Sequence, residues 1–269
     1  MTNYTKTSSS CPDGAIIIPL ANEAEQLPVL FVALQTALDQ EEKAIEVFFV
    51  IDRASRDKTL TLARSLCQQD ARFTVLWCPQ NRHLADAYRA GLRAAYERGA
   101  GWMIEMDGGG SHQASQLKDF VQALTQYDCA WGSRFVAGGQ MKGSLFRRMV
   151  SRGSTFLANL LLGTRLHDMT SGFQGLTRQA VEQWLAYAPL ASFHFYQTEM
   201  RYVLRYKSHR EIPISYHPTG GGISWASWRN AGRGLLILVA RRWFRELPKR
   251  RSFRDRVRSS GRWFVRRVR

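Results

Sequence analysis

Trp102-Met-Ile-Glu-Met-Asp107-Gly-Gly-Gly-Ser-His112 is an apolar run that stops on one carboxylate and three glycines. Such a run reads as a strand whose C-terminal end presents Asp107 to a group approaching the backbone closely, because consecutive glycines remove bulk and permit unusual dihedrals. Two further segments repeat the plan: Ala15-Ile-Ile-Ile-Pro-Leu20 leads into Ala21-Asn22-Glu23, and Val47-Phe-Phe-Val-Ile51 leads into Asp52-Arg-Ala-Ser55-Arg-Asp57. Each is followed by a helical pattern. In an open α/β sheet, ligands sit beyond the carboxyl ends of the strands, so three such ends point to one site.

Outward from these segments the pattern predicts strands at 15–20, 46–52, 72–77, 102–107 and 129–134, with helices at 23–38, 57–69, 84–98 and 114–126. That alternation argues for a parallel, three-layer α/β sheet. Ala87, Ala90, Gly91 and Ala94 form a narrow face on the third helix, suited to close packing on the sheet. Residues 144–163 combine Leu145, Phe146, Met149, Val150, Phe156, Leu157 and Leu160 with Arg147, Arg148 and Arg152. This mix suits a helix lying on a membrane with its arginines at phosphate level, and equally an amphipathic helix packed on the sheet. A second such helix is expected at 226–246.

The 269 residues suffice for one α/β domain with an appendage. The organisation reads as a flexible N-terminus (1–13), a catalytic domain (14–225) and an amphipathic, Arg-rich tail (226–269). The first 13 residues lack the apolar core of a signal peptide. Cys11, Cys67, Cys78 and Cys129 show no metal-type spacing and are expected as reduced thiols of a cytosolic protein. The longest uninterrupted apolar run, Leu235–Ala240, falls far below the ~20 residues of a spanning helix.

Charge is concentrated at the end of the chain. Residues 241–269 hold twelve Arg and one Lys against Glu246 and Asp255, a net +11 of the chain's +16. Trp243, Phe244, Phe253, Trp263 and Phe264 interleave with them. Aromatics among arginines suit an anionic leaflet surface; nucleic-acid binding and a plain solvated tail are the competing readings. The expectation is a membrane surface and no nucleic acid.

Pro19-Leu-Ala-Asn22-Glu23, Val50-Ile-Asp52-Arg-Ala-Ser55-Arg-Asp57-Lys-Thr59 and Met106-Asp107-Gly-Gly resemble the nucleotide-sugar half of a family 2 glycosyltransferase. Gly132-Ser-Arg134-Phe, Phe146-Arg147-Arg148-Met-Val-Ser151, Asp168-Met-Thr-Ser171-Gly172-Phe173 and Gln197-Thr-Glu199 are similar, in order and spacing, to its dolichol-phosphate mannosyltransferase branch. The resemblance covers roughly residues 14–240. It implies a GT-A fold and inverting transfer of a hexose from a GDP- or UDP-sugar to a polyprenyl phosphate, at the inner face of the membrane. It further implies a peripheral protein with a possible membrane-anchored partner.

By that resemblance Pro19, Ala21, Glu23, Asp52, Ser55, Met106 and Asp107 bind the nucleotide sugar. Arg134, Arg147, Arg148 and Ser151 bind the acceptor phosphate, Asp107 and Arg134 are catalytic, and Glu199 supports the site wall. Asp107 is the ligand of a divalent metal, Mg²⁺ or Mn²⁺. The chain departs from the pattern where the family's metal-binding Asp-Xaa-Asp reads Asp107-Gly108-Gly109. A family Gln is Ser111, a second Asp in the strand-2 motif is Arg53, and a late Arg and Lys are absent around Gly222-Ile-Ser224-Trp225. Two rivals follow: transfer to another lipid or a glycan, or a non-catalytic nucleotide-sugar-binding membrane protein.

Overall fold

A computed structural model describes residues 11–218 and 225–244. The Arg-rich tail beyond Phe244, the Gly222-Ile-Ser224 motif and the first ten residues lie outside the described residues. The first half is a succession of β1 (Gly14–Leu20), α1 (Leu27–Leu38), β2 (Ile45–Ile51), α2 (Thr59–Cys67), β3 (Phe73–Trp77), α3 (Leu84–Glu97) and β4 (Trp102–Glu105). A 3-10 turn at Ala114–Gln116 leads into α4 (Leu117–Ala123), β5 (Cys129–Ser133) and β6 (Gln140–Met141). Then come α5 (Leu145–Leu162), β7 (Gln174–Thr177), α6 (Arg178–Ala186), α7 (Phe195–Val203), β8 (His209–Pro213), β9 (Ser215–Tyr216) and α8 (Trp225–Trp243).

The main sheet runs β3-β2-β1-β4-β7-β5-β8, and β6 pairs with β9 in a second, two-stranded sheet. β1, β2 and β4 are parallel and almost wholly buried, as their unbroken apolar runs require of strands covered on both faces. One apolar cluster lies on each side: Leu27, Phe31 and Leu34 pack against one face, and Tyr88, Leu92 and Ala95 against the other. The narrow face of α3 permits the close approach read from it. A Cβ at Gly91 would come within 2.3 Å of the Ile17 side chain.

Two sequence expectations need correction. The sheet is not wholly parallel, because β7 inserts antiparallel between β4 and β5. Its four residues, Gln174-Gly-Leu-Thr177, carry no apolar periodicity that would have revealed it. The first helix begins at Leu27, not 23, because Pro28 sits in its first turn. A proline ring clashes with the carbonyl four residues back, so helix cannot extend through Ala24.

α5 buries only Thr155, Ala158 and Leu162, a stripe three and four residues apart. Its larger apolar side chains, Leu145, Phe146, Met149, Phe156 and Leu160, are each more than 60% exposed. α8 packs against α5 and α7. Leu238 is buried there, Gly234 lies against the Phe195 ring, and Leu236, Trp243 and Phe244 remain exposed. Among the described residues no helix is long and apolar enough to cross a membrane.

Candidate active site

The loops leaving β1 and β2 are stitched into one wall. Asn22 adopts a left-handed conformation with φ 60°, from which its Oδ1 accepts the Arg56 amide at 2.8 Å and its Nδ2 donates to the Ala54 carbonyl. Asn tolerates that region because its short side chain bonds locally. Asp52 Oδ1 accepts the Ala54 amide at 2.8 Å, closing the turn. Ser55 Oγ accepts the Asn22 amide. Asp57 receives the Thr59 hydroxyl at 2.6 Å and the Ala24 amide at 3.1 Å, and these bonds, led by Thr59, hold its carboxyl down at about 2. Half-buried Glu23 faces this wall; burial, then the nearby charges of Asp57 and Asp107, raise its pKa. Ala21 is exposed at the rim, and Met106 is buried in the core beneath it.

Asp107 stands where β4 ends, held on several sides. Tyr88 donates its hydroxyl to Oδ1 at 2.8 Å. The Asp107 amide donates to Nδ1 of buried His112 at 3.1 Å, and His112 stacks on Phe173 with centroids 4.9 Å apart. Gly108 must be glycine. A Cβ there would meet the Leu20 side chain at 2.3 Å and the Pro19 carbonyl at 2.9 Å. Oδ2 accepts no hydrogen bond from the described residues; His112 Nδ1, itself an acceptor, lies 3.7 Å away, and burial lowers the pKa of that imidazole.

Behind Asp107 lies a buried polar network that the sequence reading missed. Tyr88 stacks on Tyr196, and Tyr196 donates a very short hydrogen bond to Glu105 Oε2. Gln174 Nε2 donates to the same oxygen at 2.5 Å while its Oε1 accepts from Arg201 Nη1 at 2.8 Å. Burial lifts Glu105 to about 7, against the opposing pull of Tyr196, Gln174 and Arg201. One clue was present in the sequence. Glu105 lies two residues before Asp107 inside an apolar strand, hence on the same side of it.

On the other side of Asp107 opens a groove of about 410 Å³ between α5, α7 and α8. Its polar end holds Asp107, Arg134, Arg147, Ser151 and Thr170; its body is walled by Val150, Leu157, Ala158, Phe195 and Leu235. The structure thus brings Asp107, Arg134, Arg147 and Ser151 together in one groove. Arg148 is not among the residues lining the groove, but its Nη2 donates at 3.0 Å to the carbonyl of Met141, which is. Arg134 is heavily engaged: Nε and Nη2 grip both oxygens of Asp168 at 2.7 and 2.8 Å, and Nη2 also reaches Ser151 and Thr170. Asp168 is fully buried; burial alone would raise its pKa, but Arg134 brings it below the ordinary value.

Glu199 is fully buried and accepts the amides of Leu190 and Ala191 and the Tyr187 hydroxyl, which in turn accepts from Arg241 on α8. It therefore anchors the loop on which α8 rests. Among the described residues no three His, Cys, Asp or Glu side chains cluster as a metal cage. The donor set fits a divalent ion only in the manner of Mg²⁺, which commonly takes one or two carboxylates and fills its sphere with water and substrate phosphates.

Residues 15–185 match the model of glycosyl transferase family 2. An undecaprenyl-phosphate mannosyltransferase of Micrococcus luteus is 31% identical over 234 residues, 84% of this chain and 94% of that protein. A polyprenol monophosphomannose synthase of Mycolicibacterium smegmatis is 31% identical over 226 residues, 82% of this chain and 83% of that one. Glucosyl-3-phosphoglycerate synthase from Mycobacterium tuberculosis, crystallised with Mn²⁺, UDP and glucosyl-3-phosphoglycerate, superposes with a TM-score of 0.61 at 11% identity. That alignment covers 89% of this chain and 86% of the other, a likeness of fold.

Proposed function

The chain belongs to glycosyl transferase family 2, and we propose that it moves a hexose from a nucleotide sugar to a polyprenyl phosphate at the cytoplasmic face of a membrane. The observation that carries this reading is the groove itself, with anion-binding side chains at the Asp107 end and apolar walls along α5 and α8. A long prenyl chain with a phosphate head has the same polarity. Relatives at 31% identity are named for undecaprenyl phosphate and polyprenol acceptors, which agrees with it. The uncovered apolar side chains of α5 and α8 supply a surface that a bilayer would cover.

In this reading the nucleotide lies against the loops carrying Pro19, Ala21, Glu23, Asp52 and Ser55, with its diphosphate at Asp107. The acceptor phosphate enters the groove at Arg147 and Ser151. Arg134, its charge balanced by Asp168, holds Ser151 and Thr170 in place. A phosphate is anionic at neutral pH, so the attacking oxygen needs no general base. It forms the bond to the anomeric carbon as the bond to the diphosphate breaks, and the electron pair leaves with the nucleoside diphosphate. Attack from the groove side, opposite the departing group, inverts the configuration. Catalysis then rests on positioning and on relief of developing charge. Asp107 would hold a divalent ion, which would supply part of that relief.

The test is transfer from labelled GDP- and UDP-hexoses to polyprenyl phosphate by the purified protein, with and without chelator. Asp107→Ala abolishes transfer, and Gly109→Asp, which restores a second carboxylate, tightens metal binding without removing nucleotide binding. Full activity of Asp107→Ala would refute the metal role. Absence of transfer with every donor and metal would favour the non-catalytic rival, and transfer only to a different acceptor would favour the other enzyme reading.

A further inference from the structure

A second cavity, of about 660 Å³, shares no lining residue with the groove. It opens between the C-terminal ends of α5 and α8 and the segment joining α7 to β8. Its lining includes Arg165, Arg201, Arg205, Arg241, Arg242 and His209, and no acidic side chain among the described residues.

These guanidinium groups are held by neutral oxygens. Arg205 Nη1 donates to the Tyr202 carbonyl, Arg241 Nη1 to the Tyr187 hydroxyl and Arg242 Nη1 to the Leu161 carbonyl, each at 2.7 Å. Arg205 is further fixed between the rings of Tyr202 and Tyr206, 4.1 and 4.3 Å from their centroids. Among the described residues none of the five arginines forms an ion pair. The carboxylates whose charges reach Arg201 and Arg241 are already committed, Asp168 to Arg134, Glu211 to His167 and the amides of residues 167 and 168, and Glu199 to Tyr187 and the amides of Leu190 and Ala191.

Arg201 makes the cavity more than a solvated basic surface. It is 1% exposed, lies over the Trp131 ring and spends Nη1 on Gln174, yet among the described residues its Nε and Nη2, both closed off from solvent, have no hydrogen-bond partner. A buried donor left unmade is costly, and a buried guanidinium more so. The uncompensated positive charge of Arg201 lies beneath the cavity and favours an anion there.

We propose that this cavity is a phosphate-binding site, separate from the transfer site, in which Arg205 and its neighbours Arg165, Arg241 and Arg242 hold the phosphate oxygens over the buried positive charge of Arg201. Phosphate recognition of this kind fits a lipid headgroup or free phosphate alike. Exposed Leu160, Trp243 and Phe244 border the same helix ends, where the acyl chains of a lipid would lie.

The full-length protein is titrated with inorganic phosphate at low salt, comparing wild type, the Arg165→Gln/Arg205→Gln double variant and Arg147→Gln, which reports any phosphate held in the groove. The double variant is expected to weaken phosphate binding at the cavity about tenfold or more, the effect of losing one charge-assisted hydrogen bond, while Arg147→Gln loses only the phosphate of the groove and keeps that of the cavity. Should the double variant fold poorly, Arg165→Glu, at an exposed position, places a repelling carboxylate at the rim and weakens binding likewise. Vesicles of phosphatidylglycerol with phosphatidylcholine, against phosphatidylcholine alone, then identify the source. Loss of association with the anionic vesicles in the double variant assigns a lipid headgroup, whereas unchanged association with weakened phosphate binding assigns a free phosphate; either supports the site. Phosphate affinity unchanged in both cavity variants, or lost only in Arg147→Gln, overturns it.

Discussion

Asp168→Asn tests how the groove's polar end is held together. The substitution is isosteric and leaves no cavity, so its effect is electrostatic. Asp168 is fully buried and accepts Arg134 Nε and Nη2 at 2.7 and 2.8 Å, the Arg134 amide at 3.1 Å and the Thr170 amide at 3.0 Å. An amide nitrogen must replace one acceptor, setting donor against donor and leaving Arg134 as an uncompensated charge that is itself only 8% exposed. Removing one partner of such a pair costs about 3–5 kcal/mol. For a chain of this size that lowers Tm by roughly 10 °C. The assay is chemical and thermal unfolding across pH. Because the folded-state pKa of Asp168 lies below its unfolded value, its contribution is present above pH ~4 and is lost as pH falls through the folded pKa, so the gap between wild type and variant closes in acid. Arg134→Met/Asp168→Leu, which removes both charges, recovers much of the loss. A cost for Asp168→Asn below ~1 kcal/mol, or a gap indifferent to pH, would refute the buried-pair account.

Further outcomes follow from other parts of the structure. Glu105 titrates at about 7 in the fold, above its unfolded value, so it binds its proton more tightly when folded and wild-type stability declines as pH rises from about 4.5 to 7; Glu105→Gln flattens that decline in thermal melts, and an unchanged slope assigns it to other groups. Gly108→Ala, whose Cβ would press on Leu20 and the Pro19 carbonyl, costs roughly 1–3 kcal/mol and weakens nucleoside-diphosphate binding in calorimetry; wild-type behaviour would mean the two strand ends separate easily. Truncation after Phe244 removes ten Arg and one Lys against Glu246 and Asp255. It is expected to release the protein from anionic vesicles at moderate salt while sparing nucleotide binding, each basic residue near such a surface contributing about 1 kcal/mol; unchanged co-sedimentation would remove the tail from the membrane contact. The cut belongs after Phe244 because Arg241 and Arg242 hold Tyr187 and Leu161.

The sequence by itself determined the strands that build the site. Ile16 to Leu20, Val47 to Ile51 and Trp102 to Glu105 are apolar runs that end in Glu23, Asp52 and Asp107, and both the strands and the polar ends are local properties of a few consecutive residues. Family membership was legible for the same reason, since short motifs in fixed order carry it. What only the tertiary structure decided are the partners brought together from distant segments. Arg134, read as a phosphate clamp, spends its fork on Asp168, 34 residues away. Tyr88 reaches Asp107 from α3, and Glu105 finds Tyr196 across 91 residues. β7 enters the sheet antiparallel without an apolar pattern of its own, and α5 buries Thr155, Ala158 and Leu162 while leaving Leu145, Phe146, Met149, Phe156 and Leu160 outward. A side chain's type limits which bonds it can make, but which of them it makes depends on the donors and acceptors that the packed chain leaves within about 3 Å.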